Sequence, residues 1–175
     1  MKTLLFVCCL CIPGMVLAGE EVKKEALSVF QQYLEMHEEL KAIAATGAGK
    51  DSHQYKQLQA KIDSTHQYVY LRSLRKTKDY IVQTGDRELL TAVMKVVLAT
   101  SYRVDDYQIF ALGDIYLAQS DSLIHIYRQF SSSHQKVLYE KLEKGFVRVS
   151  FKNKDVQNYD ALKAKLFELQ TESSQ

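Results

Sequence analysis

Histidine is the side chain best suited to proton chemistry near neutral pH. Of the five histidines in the chain, His37 and His66 fall inside the apolar stripe of an expected helix. If the first two helices fold back on each other about Gly49, His37 lies opposite residues near Ile62, about one turn from His66. A shared site is then within reach. The simpler reading is two histidines at the margin of a core, with their polar tips bonded to backbone or water. No His-x-x-x-His pair and no Glu-x-x-His set occurs, so no metal site is expected.

Nucleophilic and phosphate chemistry find no better footing. Ser120, Ser122, Ser131, Ser132 and Ser133 flank expected helix starts, where hydroxyls accept from free N–H groups. Gly-x-Ser-x-Gly is absent, and Gly47-Ala48-Gly49-Lys50 has neither the spacing nor the preceding strand of a phosphate loop. Glu20-Glu21 and Glu38-Glu39 sit where helices need a charged outer face, not in a cleft. The sequence therefore predicts no enzyme, no cofactor and no bound metal.

Two surface features suit binding instead. Tyr102-Arg103-Val104-Asp105-Asp106-Tyr107 places two aromatics, a cation and two acids in one turn between helices. Tyrosine and arginine are enriched at protein interfaces, so Tyr102, Arg103, Asp105, Asp106 and Tyr107 are the first candidates for a partner contact. Arg72, Arg75 and Lys76 form a second, basic candidate on one helical face, with Lys78 turned away and Asp79 within pairing distance of Arg75. The bland alternatives are a capping aspartate with packed tyrosines, and an ordinary solvated helix face.

The elements that must carry these residues are helical. One proline, no tryptophan and seven glycines in 175 residues leave few helix breakers. A first helix is expected over 20–45, with Val22, Ala26, Phe30, Tyr33, His37, Leu40 and Ala44 on one face. A long second helix is expected over 52–84. Its stripe is Tyr55, Leu58, Ile62, His66, Val69, Ser73, Thr77, Tyr80 and Ile81. Gly85-Asp86 stops one helix and starts another, which is apolar on most sides from Leu89 to Leu98 and so central.

Shorter helices are expected to follow. Asp105 and Gln108 have capping-box spacing, Asp121 opens another helix, and Ser132 and Gln135 repeat the box. Gly145 ends that helix, and 146–151 reads as an extended connector or short strand. Asp155 caps a last helix through Tyr159, Leu162, Leu166 and Leu169, and 171–175 reads as a disordered tail. The predicted fold is all-α, a long N-terminal helical hairpin followed by an array of short antiparallel helices, in a single domain over 19–170.

The first eighteen residues supply an address. Lys2, the apolar run from Leu4 to Ile12, Pro13-Gly14 and the small residues Val16 and Ala18 make a cleavable secretory signal. The run is too short for the roughly 20 apolar residues of a membrane span. Cys8, Cys9 and Cys11 all lie within it, so the expected mature chain has no thiol, and neither Asn153 nor Asn158 heads a glycosylation sequon. A bacterial periplasmic protein fits this cysteine usage best. The net charge of +2 falls to +1 once Lys2 is removed, which favours neither nucleic acid nor stable association with a membrane. The expected function is a periplasmic helical module that binds another protein. Its most concrete form is an inhibitor or immunity-type factor against an envelope-active enzyme. The alternative is a chaperone, an assembly factor or a carrier of an apolar ligand.

Overall fold

Local capping chemistry sets three of the helix starts. The computed structural model describes residues 13–46, 49–103, 105–152 and 158–172, with side chains described from Gly19 onward. Helix α1 spans Pro13–Ala45, and proline suits a first helical position because its missing N–H has no partner there in any case. Ala26, Phe30, Tyr33, His37, Leu40 and Ile43 recur at steps of three and four and are buried. Gly49, at φ +57°, turns the chain, and the Ser52 hydroxyl accepts the Tyr55 N–H at 3.1 Å to open α2, His53–Thr65.

The long second helix is present with one irregularity. A π turn, His66–Tyr70, joins α2 to α3, Leu71–Thr84. The inward residues explain it. Leu58, Ile62, His66, Tyr70 and Leu74 follow four successive steps of four, and at 3.6 residues per turn each step overshoots by about 40°. The wider turn removes the drift and keeps the stripe facing α1. Tyr70 is therefore fully buried, and Val69, expected on the stripe, is 46% exposed. The stripe is displaced by one residue at this point.

Gly85 closes α3 in the left-handed conformation at φ +67°, and Asp86 opens α4, Arg87–Ala99, by accepting the Leu89 N–H at 2.9 Å. Leu89, Leu90, Val93, Met94, Val96 and Val97 are all buried, and α4 touches α1, α3, α5 and α6. It is the central helix, as its apolar composition predicts.

The remaining helices are longer than expected. Helix α5 spans Asp106–Tyr127, so Asp121 does not start a new helix. Only Gln119 leaves helical geometry, at φ −135°, which kinks the helix while its side-chain amide donates to the Val82 carbonyl at 2.9 Å. Helix α6 spans Ser132–Lys152 and passes through Gly145, where a stop was expected. Gly145 lacks a side chain for a packing reason. A Cβ there would stand 2.4 Å from the Ile109 carbonyl oxygen, and one on Gly113 would stand 2.4 Å from the Gly145 carbonyl oxygen. These glycines allow α5 and α6 to make the most extensive helix contact in the molecule.

The expected connector at 146–151 is helical as well. Phe146 and Val149 are buried, and Val147 and Phe151 point outward, which is a helical period and not the two-residue alternation of a strand. Ser132 forms no capping box, because the Ser131 carbonyl accepts the Gln135 N–H and the Gln135 side chain bonds the Phe130 carbonyl. Asp155 lies outside the described residues. Helix α7, Tyr159–Glu172, starts after Asn158, whose carbonyl accepts the Leu162 N–H at 2.9 Å. Thr171 and Glu172 belong to this helix and not to a tail, since Glu172 holds Arg128 through two hydrogen bonds of 3.0 and 2.6 Å.

Among the described residues the protein is all-α, without a strand. No described helix is long and apolar enough to cross a membrane.

Candidate functional site

The expected turn, the two histidines and the long helix meet at one polar junction at the margin of the apolar core. Helix α1 contributes Tyr33 and His37, which are four residues apart and buried. The π turn contributes His66 and Tyr70. The loop between α4 and α5 brings in Tyr102, Arg103 and Asp105.

The Tyr33 hydroxyl lies 2.7 Å from His66 Nδ1, and His66 Nε2 lies 2.7 Å from Asp105 Oδ2. That second contact is close but out of line for a well-formed hydrogen bond. The other Asp105 oxygen accepts the N–H groups of Tyr107 at 2.8 Å and Gln108 at 3.0 Å, which caps α5. Burial works to raise the Asp105 carboxyl, yet His66 and the two N–H donors outweigh it and hold the group below its ordinary range. The capping-box expectation is half met. Asp105 caps as expected, and the Gln108 side chain turns inward to the Tyr70 hydroxyl at 2.9 Å and to Thr100.

His37 and His66 belong to the same junction, with Tyr33 between them. The Tyr33 ring meets His37 edge-on at 4.7 Å and stacks on Tyr70 at 4.7 Å. The Tyr102 hydroxyl lies 3.3 Å from His37 Nδ1. Burial, aided by the nearby Arg103 charge, pushes the His37 pKa down to about 4, so its ring is neutral at pH 7.

Tyr33, His66 and Asp105 stand in the order of a nucleophile, a base and an orienting carboxylate. Their surroundings oppose that role. Tyr33 is fully buried, and burial pushes its pKa up to about 12, so the hydroxyl keeps its proton and meets no solvent. The set joins three chain segments, α1, the π turn and the loop before α5. Among the described residues, no group of three or more histidine, cysteine, aspartate or glutamate side chains could hold a metal.

The expected partner-binding turn divides into inward and outward parts. Tyr102 is 60% exposed. Arg103 is pinned, its guanidinium on Asp63 and its carbonyl accepting Lys141 at 3.1 Å. Asp105 is buried, and Asp106 faces solvent and pairs with Arg148. Tyr107 is half-buried beneath the Arg75 guanidinium, 5.5 Å from its ring centroid.

The basic face divides too. Arg75 reaches across to α5, whereas Arg72 and Lys76 lie on the far side, against α1. Asp79 does not pair with Arg75 and instead holds Lys78 at 2.7 Å. Sequence reasoning missed Tyr33 as the partner of His66, and Tyr68 as an exposed residue of the π turn. The available signal was the unbroken four-residue spacing from Leu58 to Leu74.

No family model, no curated protein and no solved structure matches this chain.

Proposed function

We propose that this chain is a protein-binding module exported to the periplasm, and in its most concrete form an inhibitor or immunity-type factor that occupies an envelope-active enzyme. In this reading the first eighteen residues are a signal that is removed. A hairpin of α1 against α2 and α3, followed by an antiparallel array of α4 to α7, serves as a rigid scaffold and performs no chemistry. One observation carries the reading. Tyr102 is 60% exposed on a loop tied to His37, to Asp63 and Lys141 through Arg103, and to His66 through Asp105.

An exposed aromatic on a fixed loop can enter a partner's pocket with little loss of conformational freedom. Burial raises the Tyr102 hydroxyl pKa, with Arg103 opposing and Asp63 reinforcing it, so the contact offers an uncharged ring with a hydroxyl at its tip. The test is a tagged full chain used to capture its partner from periplasmic extract, followed by assay of the captured enzyme. Tyr102→Ala is expected to weaken that complex by at least about tenfold, a hot-spot effect, with the helical circular dichroism spectrum unchanged and only a small fall in melting temperature from the lost His37 contact. A complex that survives the substitution at full strength places the contact elsewhere.

A second reading, a carrier of an apolar ligand or a chaperone, draws on two adjoining grooves of about 410 and 530 Å³ between α1 and α4. They share Gln31, Leu34 and Lys95, and Glu35, Glu38, Lys41 and Lys95 line the larger one. Walls with this much charge favour a peptide over an apolar ligand.

A further inference from the structure

The π turn does more than keep the inner stripe in register. The residue it inserts is accommodated on the outer side of the helix, where Tyr68 is 71% exposed and Val69 is 46% exposed. Large apolar side chains standing together in solvent mark a contact surface more often than chance would place them there. π turns also recur at functional positions in helices. Here they adjoin a depression of about 250 Å³ between α1 and α3, walled by Val29 and Glu25 on one side and by Arg72 and Lys76 on the other.

The charges on this face are under-used. Arg72 is exposed and makes no ion pair or hydrogen bond with any described residue, and Lys76 reaches only Glu25, at 3.7 Å between two half-exposed side chains. Tyr68, Arg72 and Lys76 follow one another at four-residue steps, so an apolar anchor and two cations stand in one line.

We propose that this face is a second docking site, and that its occupant is an acidic amphipathic segment of a partner protein. The segment's apolar side chain rests on Tyr68, Val69 and Val29, and its carboxylates pair with Arg72 and Lys76. The proposal rests on the reading of the chain as a protein-binding module, but not on the Tyr102 contact. Charge complementarity chooses the occupant. Surfaces that hold anionic membranes gather about four to eight basic residues, and nucleic-acid sites are likewise strongly basic. This face has two cations and an acid beside them. A bidentate guanidinium such as Arg72 suits a carboxylate.

The full chain, displayed intact, is panned against a random library of peptides of about twelve residues, long enough for anchors on successive helical turns. Enriched peptides are expected to carry Asp or Glu three or four positions from an aromatic or aliphatic residue. Against the double variant R72E/K76E they should bind at least about tenfold more weakly, because like charges then face each other. Tyr102→Ala should leave their binding intact. Both substitutions alter exposed side chains, and an unchanged helical circular dichroism spectrum with a cooperative melt verifies the fold.

An absence of enrichment overturns the proposal, as do peptides indifferent to the charge reversal. Peptides lost with Tyr102→Ala but retained by R72E/K76E also overturn it, while supporting the loop contact. Two further results would overturn it by naming another occupant. One is a concentration-dependent dimer that R72E/K76E dissolves. The other is co-flotation of the chain with vesicles rich in anionic phospholipid.

Discussion

Two contacts organise this molecule by opposite physics. Where α5 crosses α6, Gly113 and Gly145 bring backbone against backbone, and Tyr116 and Phe146 meet edge-on at 5.7 Å beside them. Where α1, the π turn and the α4–α5 loop meet, the contact is made by hydrogen-bonding side chains, Tyr33, His66 and Asp105 among them. The first is steric and tolerates no added atom. The second is electrostatic, so proton concentration can tune it. The two contacts should therefore differ in how they respond to pH.

The largest expected effect breaks the steric contact. Gly145→Ala places a methyl group 2.4 Å from the Ile109 carbonyl oxygen, and backbone cannot swing aside as a side-chain tip can. At an open helical position the same change would stabilise by up to about 1 kcal/mol. Here a net loss on the order of 3 kcal/mol is expected, through forced separation of α5 and α6. Denaturant unfolding measures it, and a neutral or stabilising result would show that the helices part without cost.

Asp105→Ala attacks the polar junction. It removes the cap of α5 and leaves His66 Nε2 without its carboxylate, for an expected loss of about 2 to 3 kcal/mol. Asp105→Asn retains cap acceptance and should recover part of that loss. Equal losses from the two substitutions would show that the negative charge, and not the cap, is what the junction needs.

The smallest expected effect sharpens the comparison through pH. His37 has an ordinary value of 6.5 and a folded value of about 4, with Arg103, Lys41, His66 and Asp63 as the charges facing it. Its folded pKa is depressed, so its contribution is fully present above about pH 6.5 and declines as pH falls towards 4. The loss is on the order of 2 kcal/mol, allowing for partial solvent screening. Asp105, also depressed, adds a further loss below its ordinary value of 3.8. Unfolding measured from pH 7 to pH 4 should show the His37 decline, and His37→Gln should flatten it. The cost of Gly145→Ala should not change across that range, because no titrating group takes part. A pH-dependent cost at Gly145 would erase the distinction between the two contacts.

The features legible in the sequence are those whose cause lies within a few residues. Ser52, Asp86 and Asp105 each accept an N–H two or three positions onward, and Gly85 adopts a left-handed turn at its own α-carbon. Burial of Ala26, Phe30, Tyr33, His37 and Leu40 follows from helical period alone. The all-α class and the central place of α4 follow from the same local rules.

Tertiary structure decided whatever depends on a distant neighbour. Gly145 reads as a helix stop from its own propensity, and only the presence of Ile109 and Gly113 opposite makes it an interior packing position. Phe146 and Val149 have strand-favouring side chains, yet the groove they fill is helical. Arg75 departs from Arg72 and Lys76 because Tyr107 offers it a ring. The π turn needed α1 as a continuous surface before its extra residue had a purpose. Caps and periods act through bonds and rotations along the chain, which sequence spacing encodes directly. Close approach, shared burial and long-range pairing arise only when remote segments compete for the same space, and that competition is settled in three dimensions.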